Sequence, residues 1–355
     1  MAPWDWPTLA PAMGKLKVLY FLYQYPQISQ TYIENEISAL GDDCDVTIVA
    51  AKPADATYEK HRPFQRVAGP NEIIELVRRE KFDVIHTHWM LNVPALGQIA
   101  RLTNTPFTVR AHSFEAYFPE GKPAPTHLSS SAAAVNSELC LKVFCLPFTR
   151  SSLERAGIPP RKLENYFPIV DYPRFLDRSP NGGGVVNLGA CTPKKKMEDF
   201  IDLASALRGR SAFNLYAVQG PGKELERVVS YNRSKGSPVD IRPAVEPEQM
   251  PAVYKKHRWL VYTACPKINQ VGWPLSIAEA QASGVGVCIP EIRPDIREYI
   301  GDAGVVYRDV REVASIICEP VPESLRERGF AHAERCDVKH AVAALKQAWG
   351  RVGSA

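Results

Sequence analysis

The stretch Gly272-Trp273-Pro274-Leu275-Ser276-Ile277-Ala278-Glu279 has residue types and spacing suited to holding an anion. Gly272 and Pro274 make a turn, and proline suits the first helical position. A short helix is predicted over 275–282, stopped by Gly284 before an apolar strand over 285–289. Its N-terminus offers unpaired amides and the positive end of the helix dipole, which favours a phosphate. Glu279, one turn further in, can touch what that phosphate carries. The plain alternative is a connecting helix with a solvated glutamate. A second candidate is the basic triplet Lys194-Lys195-Lys196, which without context reads as a solvated turn. His86-Thr87-His88 puts two imidazoles on one side of a strand end, but no third metal ligand lies nearby in sequence, so no metal site is expected.

The elements that must position these groups alternate. Residues 17–23 form a continuous apolar run, the mark of a parallel strand covered on both faces. A helix over 32–40, a strand over 46–50, a helix over 71–80, strands over 83–86 and 107–110 and a helix over 94–102 follow. Residues 129–171 are less regular. The turn-rich Ser179-Pro180-Asn181-Gly182-Gly183-Gly184 reads as a linker. The alternation restarts with strands over 185–189, 213–218, 239–241 and 259–262 and helices over 197–207, 223–231 and 250–256, with a last strand over 303–307. The closing helix, 338–349, has an apolar face at Val338, Ala341, Val342 and Leu345, so it docks on something. The expectation is α/β: two doubly wound, Rossmann-like domains, 15–178 and 184–335, and a terminal segment, 336–355, that packs back on the first. Ligands of such sheets bind beyond the carboxyl ends of the strands. Polar clusters fall there at 25–31, 86–89 and 110–115.

Composition bounds the partners. A length of 355 residues suits two domains, and a net charge of +4 with interleaved signs is too mild for nucleic acid. It suits a polyanionic substrate or an anionic membrane surface. The eight cysteines, with no CxxC pair, read as buried free thiols in a reducing compartment. No apolar run is long enough to span a bilayer, and the arm before the first strand lacks signal-peptide character. A cytoplasmic protein, at most peripheral to a membrane, is expected. Arg78, Arg79 and Lys81 are read as a solvated face.

The box Gly272–Gly284 resembles the EGFPLSLLEAMACG motif of the retaining glycosyltransferase family 4, whose architecture is GT-B. Four more segments fall in that family's order. Tyr25-Pro26-Gln27-Ile28-Ser29-Gln30-Thr31-Tyr32-Ile33-Glu34-Asn35-Glu36-Ile37 is similar to the opening of its colanic-acid and exopolysaccharide branch. Asp83–Trp89, Arg110–Glu115 and Asp171-Tyr172-Pro173-Arg174-Phe175 resemble its DxxHxHF, TAHAxD and VDxxxF segments. The resemblance spans roughly 16–349.

The resemblance implies roles. The amides of Ser276 and Ile277, in the turn Gly272, Trp273, Pro274, Leu275, would hold the distal donor phosphate. Glu279 would accept hydrogen bonds from the ribose. Lys195, with Gly189 in the same turn and Lys194 and Lys196 as neighbours, would neutralise the diphosphate. His112 would contact the donor sugar or align the acceptor, and Ser29 and Thr31 would face the donor phosphates. Two positions depart from the pattern. Ala190 stands where the family has an arginine, and Val271 where it has the glutamate that reads the sugar; Asn269 or Gln270 would have to serve instead. The implied activity is retaining hexosyl transfer from a nucleoside-diphosphate sugar to a glycan, lipid-linked or small-molecule acceptor, with no metal and no cofactor beyond that co-substrate. Two alternatives stay open: a nucleotide-sugar-binding partner with little activity, and a GT-B epimerase using Glu115 and Glu279 as acid and base.

Overall fold

The computed structural model describes residues 15–53, 58–220, 222–268 and 271–350. The N-terminal arm and the candidate sugar-reading amides Asn269 and Gln270 lie outside them. The first sheet comprises β1 (Leu16–Gln24), β2 (Cys44–Lys52), β3 (Gln65–Arg66), β4 (Val84–His88), β5 (Phe107–Arg110), β6 (Cys140–Cys145) and β7 (Leu163–Asn165). The second comprises β8 (Gly184–Ala190), β9 (Phe213–Val218), β10 (Asp240–Pro243), β11 (His257–Val261), β12 (Gly286–Pro290) and β13 (Val305–Tyr307). Among the described residues the spatial orders are β3-β2-β1-β4-β5-β6-β7 and β10-β9-β8-β11-β12-β13, with the named pairs parallel. In each sheet the order reverses beside the first strand, which opens a crevice at the carboxyl ends of the central strands.

Burial explains the apolar runs. Val18, Leu19, Tyr20 and Leu22 of β1 are inaccessible to solvent, each apolar side chain contributing about 1.5–3 kcal/mol. β4 is different: it buries Val84 and Ile85 but also His86, Thr87 and His88. Register sets those polar groups in rows, with Tyr20 beside His86, His86 beside Thr108, and His88 beside Arg110. The period of two puts His86 and His88 on one face.

Several elements escape the sequence pattern. Within the span read as irregular, Thr126–Val135 is a helix and Cys140–Cys145 a strand. The helix hides its period because its buried face carries Ser131, whose hydroxyl bonds to the carbonyls of His127 at 2.7 Å and Met90 at 2.9 Å. Glu323–Glu334 buries Gly329 and His332 beside Phe330 and Ala333, so its inward face is not a stripe of large apolar residues. The closing helix, Val338–Trp349, packs on Thr31–Leu40 and β6 of the first domain. Trp349 is fully buried there, and its indole donates to Thr108 Oγ1 at 3.0 Å. Among the described residues no helix is long and apolar enough to cross a membrane, and all eight cysteines are free thiols, most of them buried.

Candidate active site

A cleft of about 450 Å³ lies between the two sheets and is lined from both sides. The first domain contributes Ser29, Thr31, Tyr32, Trp89, His112 and Tyr166. The second contributes Gly189, Ala190, Lys194, Lys195, Val271, Gly272, Trp273, Pro274, Leu275, Ser276 and Glu279. The domains touch at the cleft edge: a Cβ on Gly272 would stand 3.0 Å from Ser113 Cβ.

Leu275–Ala282 forms the predicted helix, with a difference at its start. Pro274 is extended (ψ 126°) and caps the helix from outside instead of occupying its first turn. The Pro274 carbonyl accepts the Ile277 amide at 3.1 Å and the Tyr299 hydroxyl at 2.9 Å. Ile277 is fully buried and does not line the cleft, so its amide and side chain are both committed to the fold. The amides that precede the first helical hydrogen bond, at Leu275 and Ser276, are those left for an anion. Glu279 is buried and its Oε2 accepts from Tyr254 Oη at 2.8 Å. Burial raises its pKa, partly offset by the Tyr254 bond and the positive charge of Arg174.

The lysine turn follows β8. Lys195 is half-buried, its Nζ 4.2 Å from the Tyr262 ring centroid. Burial and the charge of Lys194 lower its pKa to about 7. Gly189 makes room for it: its φ is +130°, and a Cβ there would lie 3.2 Å from Lys195 Nζ. The turn is pinned by Thr263 Oγ1 donating to the Lys195 carbonyl at 2.7 Å and by the Cys265 amide donating to the Lys194 carbonyl at 2.8 Å. Lys194 reaches across the cleft to lie 5.8 Å from the Phe114 ring centroid. Lys196 is not part of the cleft: it is exposed and pairs with Asp199 at 2.8 Å, because its left-handed backbone (φ 44°) turns the chain into the next helix.

Val271 lines the cleft with little exposed surface, and its carbonyl accepts from Arg293 Nη1 at 2.7 Å. Arg293 is bonded in turn to both oxygens of Asp295, and Asp295 accepts the Trp273 indole at 2.8 Å. Val271 and Trp273 are therefore both tied to the Arg293–Asp295 pair.

His112 is half-buried at the start of the loop after β5, with the rings of Trp89, Tyr32 and His88 about it at 4.9, 5.0 and 5.2 Å between centroids. Burial holds its pKa well below the ordinary value, so the imidazole is neutral at physiological pH. Its amide donates to Glu115 Oε1 at 2.6 Å. Glu115 is buried outside the cleft lining, with its pKa raised to about 7 by desolvation. It orders the loop by accepting the His112 and Met90 amides.

The third partner of His86 and His88 comes from the helix Thr31–Leu40. Glu36 Oε1 lies 3.3 Å from Nε2 of each histidine. The same oxygen accepts Tyr20 Oη at 3.0 Å, and Oε2 is paired with the Arg110 guanidinium. The Arg110 guanidinium, the Tyr20 hydroxyl and the facing His88 imidazole fit an ionised carboxylate in an ion pair.

Sequence reasoning missed Arg174, Tyr254 and Glu36. Arg174 lines the cleft from the first-domain side, with Nη2 3.4 Å from Asn35 Oδ1 and Nε 3.7 Å from Asp171. A basic residue inside the Asp171–Phe175 turn was the available signal. Tyr216, Ala244, Val245, Pro247 and Met250 line the same cleft from the second domain.

This architecture is the GT-B fold. Solved structures superpose on nearly the whole chain: HepE of Anabaena in complex with UDP and glucose matches at a TM-score of 0.75 with 14% identity, covering 95% of this chain and 100% of that one. Sucrose-phosphate synthase of Thermosynechococcus elongatus matches at 0.75 with 15% identity, covering 95% and 99%. A glycosyltransferase of Rickettsia africae matches at 0.67 with 14% identity, covering 96% and 100%. Residues 30–164, most of the first domain, match the family model of the glycosyl transferase 4-like domain. No curated protein sequence matches the chain.

Proposed function

We propose that the protein is a retaining glycosyltransferase that moves a hexose from a nucleoside diphosphate to a glycan, lipid-linked or small-molecule hydroxyl. One observation carries the reading: the free helix amides, Glu279, Lys195 and His112 line one interdomain cleft. The diphosphate would sit on the amides of Leu275 and Ser276 with Lys195 beside it. Glu279, already oriented by Tyr254, would accept the ribose hydroxyls, and the base would lie against Val245 and Met250. Arg174 brings into the cleft the guanidinium that Ala190 does not supply. A structural neighbour binds UDP and glucose, which makes UDP-sugars the first donors to try.

The leaving diphosphate would be stabilised by fixed amides and cations in place of a metal, and its own oxygen would take the acceptor proton on the face of attack. Val271 favours a second reading, a nucleotide-sugar-binding partner with weak turnover, because it offers no group to the sugar.

Release of nucleoside diphosphate from a panel of UDP-, GDP-, ADP- and TDP-sugars, with and without chelator, separates the readings. Chelator-resistant release that is lost in Glu279→Ala and Lys195→Ala is the expected outcome. Tight nucleotide binding without release, even with crude acceptor extract, would favour the partner protein, and isomerised donor without release would favour an epimerase.

A further inference from the structure

Beneath His112 a hydrogen-bonded chain runs through the core of the first domain. Glu36 is inaccessible to solvent and held ionised by Arg110, so it can only accept. His88 Nε2, 3.3 Å away, must therefore carry a proton. The pair Glu36–Arg110 is already neutral, and a second buried positive charge beside Arg110 would be unbalanced, so His88 is a neutral imidazole and its Nδ1 is an acceptor. His112 Nε2 lies 3.0 Å from that Nδ1 and must be the donor. What remains on His112 is the Nδ1 lone pair. Its protein neighbour is Tyr166 Oη at 3.5 Å, whose proton goes to the Ala111 carbonyl at 3.0 Å. A parallel arm supports Glu36 from behind: His86 Nε2 faces the same oxygen, and His86 Nδ1 lies 2.7 Å from Thr108 Oγ1, which accepts the Trp349 indole.

We infer that Glu36 and His88 are positioning residues that lock His112 in the Nε2–H tautomer, so that its Nδ1 accepts a hydrogen bond from a substrate hydroxyl in the cleft. The inference rests on the glycosyl-transfer reading for the identity of the substrate, but the tautomer does not. Without the relay, His112 could turn an N–H toward the hydroxyl and would then compete with it as a donor.

The test reads the tautomer directly. The full chain is labelled with 15N-histidine, and the His112 signals are assigned by their loss in His112→Asn. His88→Gln keeps an amide that reaches Glu36 but removes the acceptor for His112. His88→Asn puts its amide oxygen near the former Nδ1 and keeps that acceptor. The Nε2–H form of His112 is expected in the unmodified protein and in His88→Asn, with the Nδ1–H form appearing in His88→Gln. His112 in the Nδ1–H form in the unmodified protein, or a tautomer indifferent to His88→Gln, overturns the inference. If His88→Gln does not fold, the unmodified protein and His88→Asn still decide.

Calorimetry with UDP and UDP-glucose locates the hydroxyl. A loss of about tenfold in UDP-glucose affinity in His88→Gln, with UDP affinity unchanged, places it on the donor sugar. Unchanged donor affinity with about tenfold slower transfer places it on the acceptor. UDP-glucose that neither binds nor turns over, with the tautomers as expected, would remove the glycosyl-transfer reading and leave the relay standing. His88→Gln that shifts the tautomer but leaves both binding and transfer intact would overturn the role assigned to Nδ1.

Discussion

On the first-domain wall of the cleft, Glu36 and Arg110 neutralise each other beneath His88 and His112, so the surface offered to a ligand is an uncharged acceptor ringed by aromatic side chains. On the second-domain wall, Lys195 has no acidic partner among the described residues and Glu279 is bonded to a tyrosine. Both walls contain buried ionisable groups. One has cancelled its charge inside the protein, while the other has left it to be cancelled by whatever binds. Under the proposed reading the division separates two kinds of recognition: the patch around His112 suits a neutral hydroxyl, while Lys195, joined from the first-domain side by Arg174, suits a charged diphosphate ester.

The comparison can be broken most severely at its neutral side. Glu36→Gln strands the Arg110 guanidinium in the core and should cost about 3–5 kcal/mol in urea denaturation, whereas Glu36→Gln combined with Arg110→Met should recover most of it. A single variant as stable as the parent would mean that the ion pair is not what holds that wall. Next in size, Lys195→Ala and Glu279→Ala should each weaken UDP binding by about 10- to 100-fold. His112→Ala, on the opposite wall, should change it by less than about threefold; equal losses from both walls would erase the distinction.

The charged wall should also carry its own pH signature. With a pKa near 7 in the empty cleft, Lys195 must take up a proton to meet a diphosphate at higher pH. UDP affinity should therefore fall by up to about tenfold per pH unit above 7, and calorimetry in buffers of different ionisation enthalpy should show proton uptake. Lys195→Met should bind more weakly and lose that slope. A second pH signature belongs to Glu115, away from the cleft lining. Its pKa is raised in the folded state, so the native protein holds a proton that the unfolded chain releases near pH 4.5. Stability should decline as pH rises from about 4.5 to about 7 and then level off, and Glu115→Gln should remove that component from the denaturation midpoints.

Much of this was legible in the residue order. Continuous apolar runs identify parallel strands, and the Gly272–Gly284 box carries its own start and stop signals, so the central strands of both sheets and the cleft-lining helix follow from local pattern. The groups that failed to announce themselves are those whose meaning is tertiary. Glu36 is an ordinary helix carboxylate until register brings His86, His88 and Arg110 to its face. Arg174 looks like a turn residue until the turn folds into the cleft. Lys195 and Lys196 are indistinguishable as letters, and a left-handed backbone at Lys196 sends one inward and the other to Asp199.

The closing helix has a mechanical consequence. The chain crosses between domains twice, once on leaving the first domain after the helix Tyr172–Phe175 and once on returning before Val338–Trp349. The two crossings are fastened to each other: the Val170 amide donates to the Cys336 carbonyl at 2.9 Å, and the Val338 amide donates to the Val170 carbonyl at 2.8 Å. Two tethers joined side by side behave as a door hinge and not as a ball joint. They resist swivelling and sliding while leaving rotation about one axis soft. Any opening of the cleft would then swing Lys195 and Glu279 away from His112 along a single arc, and closing would return them to the same register on every cycle.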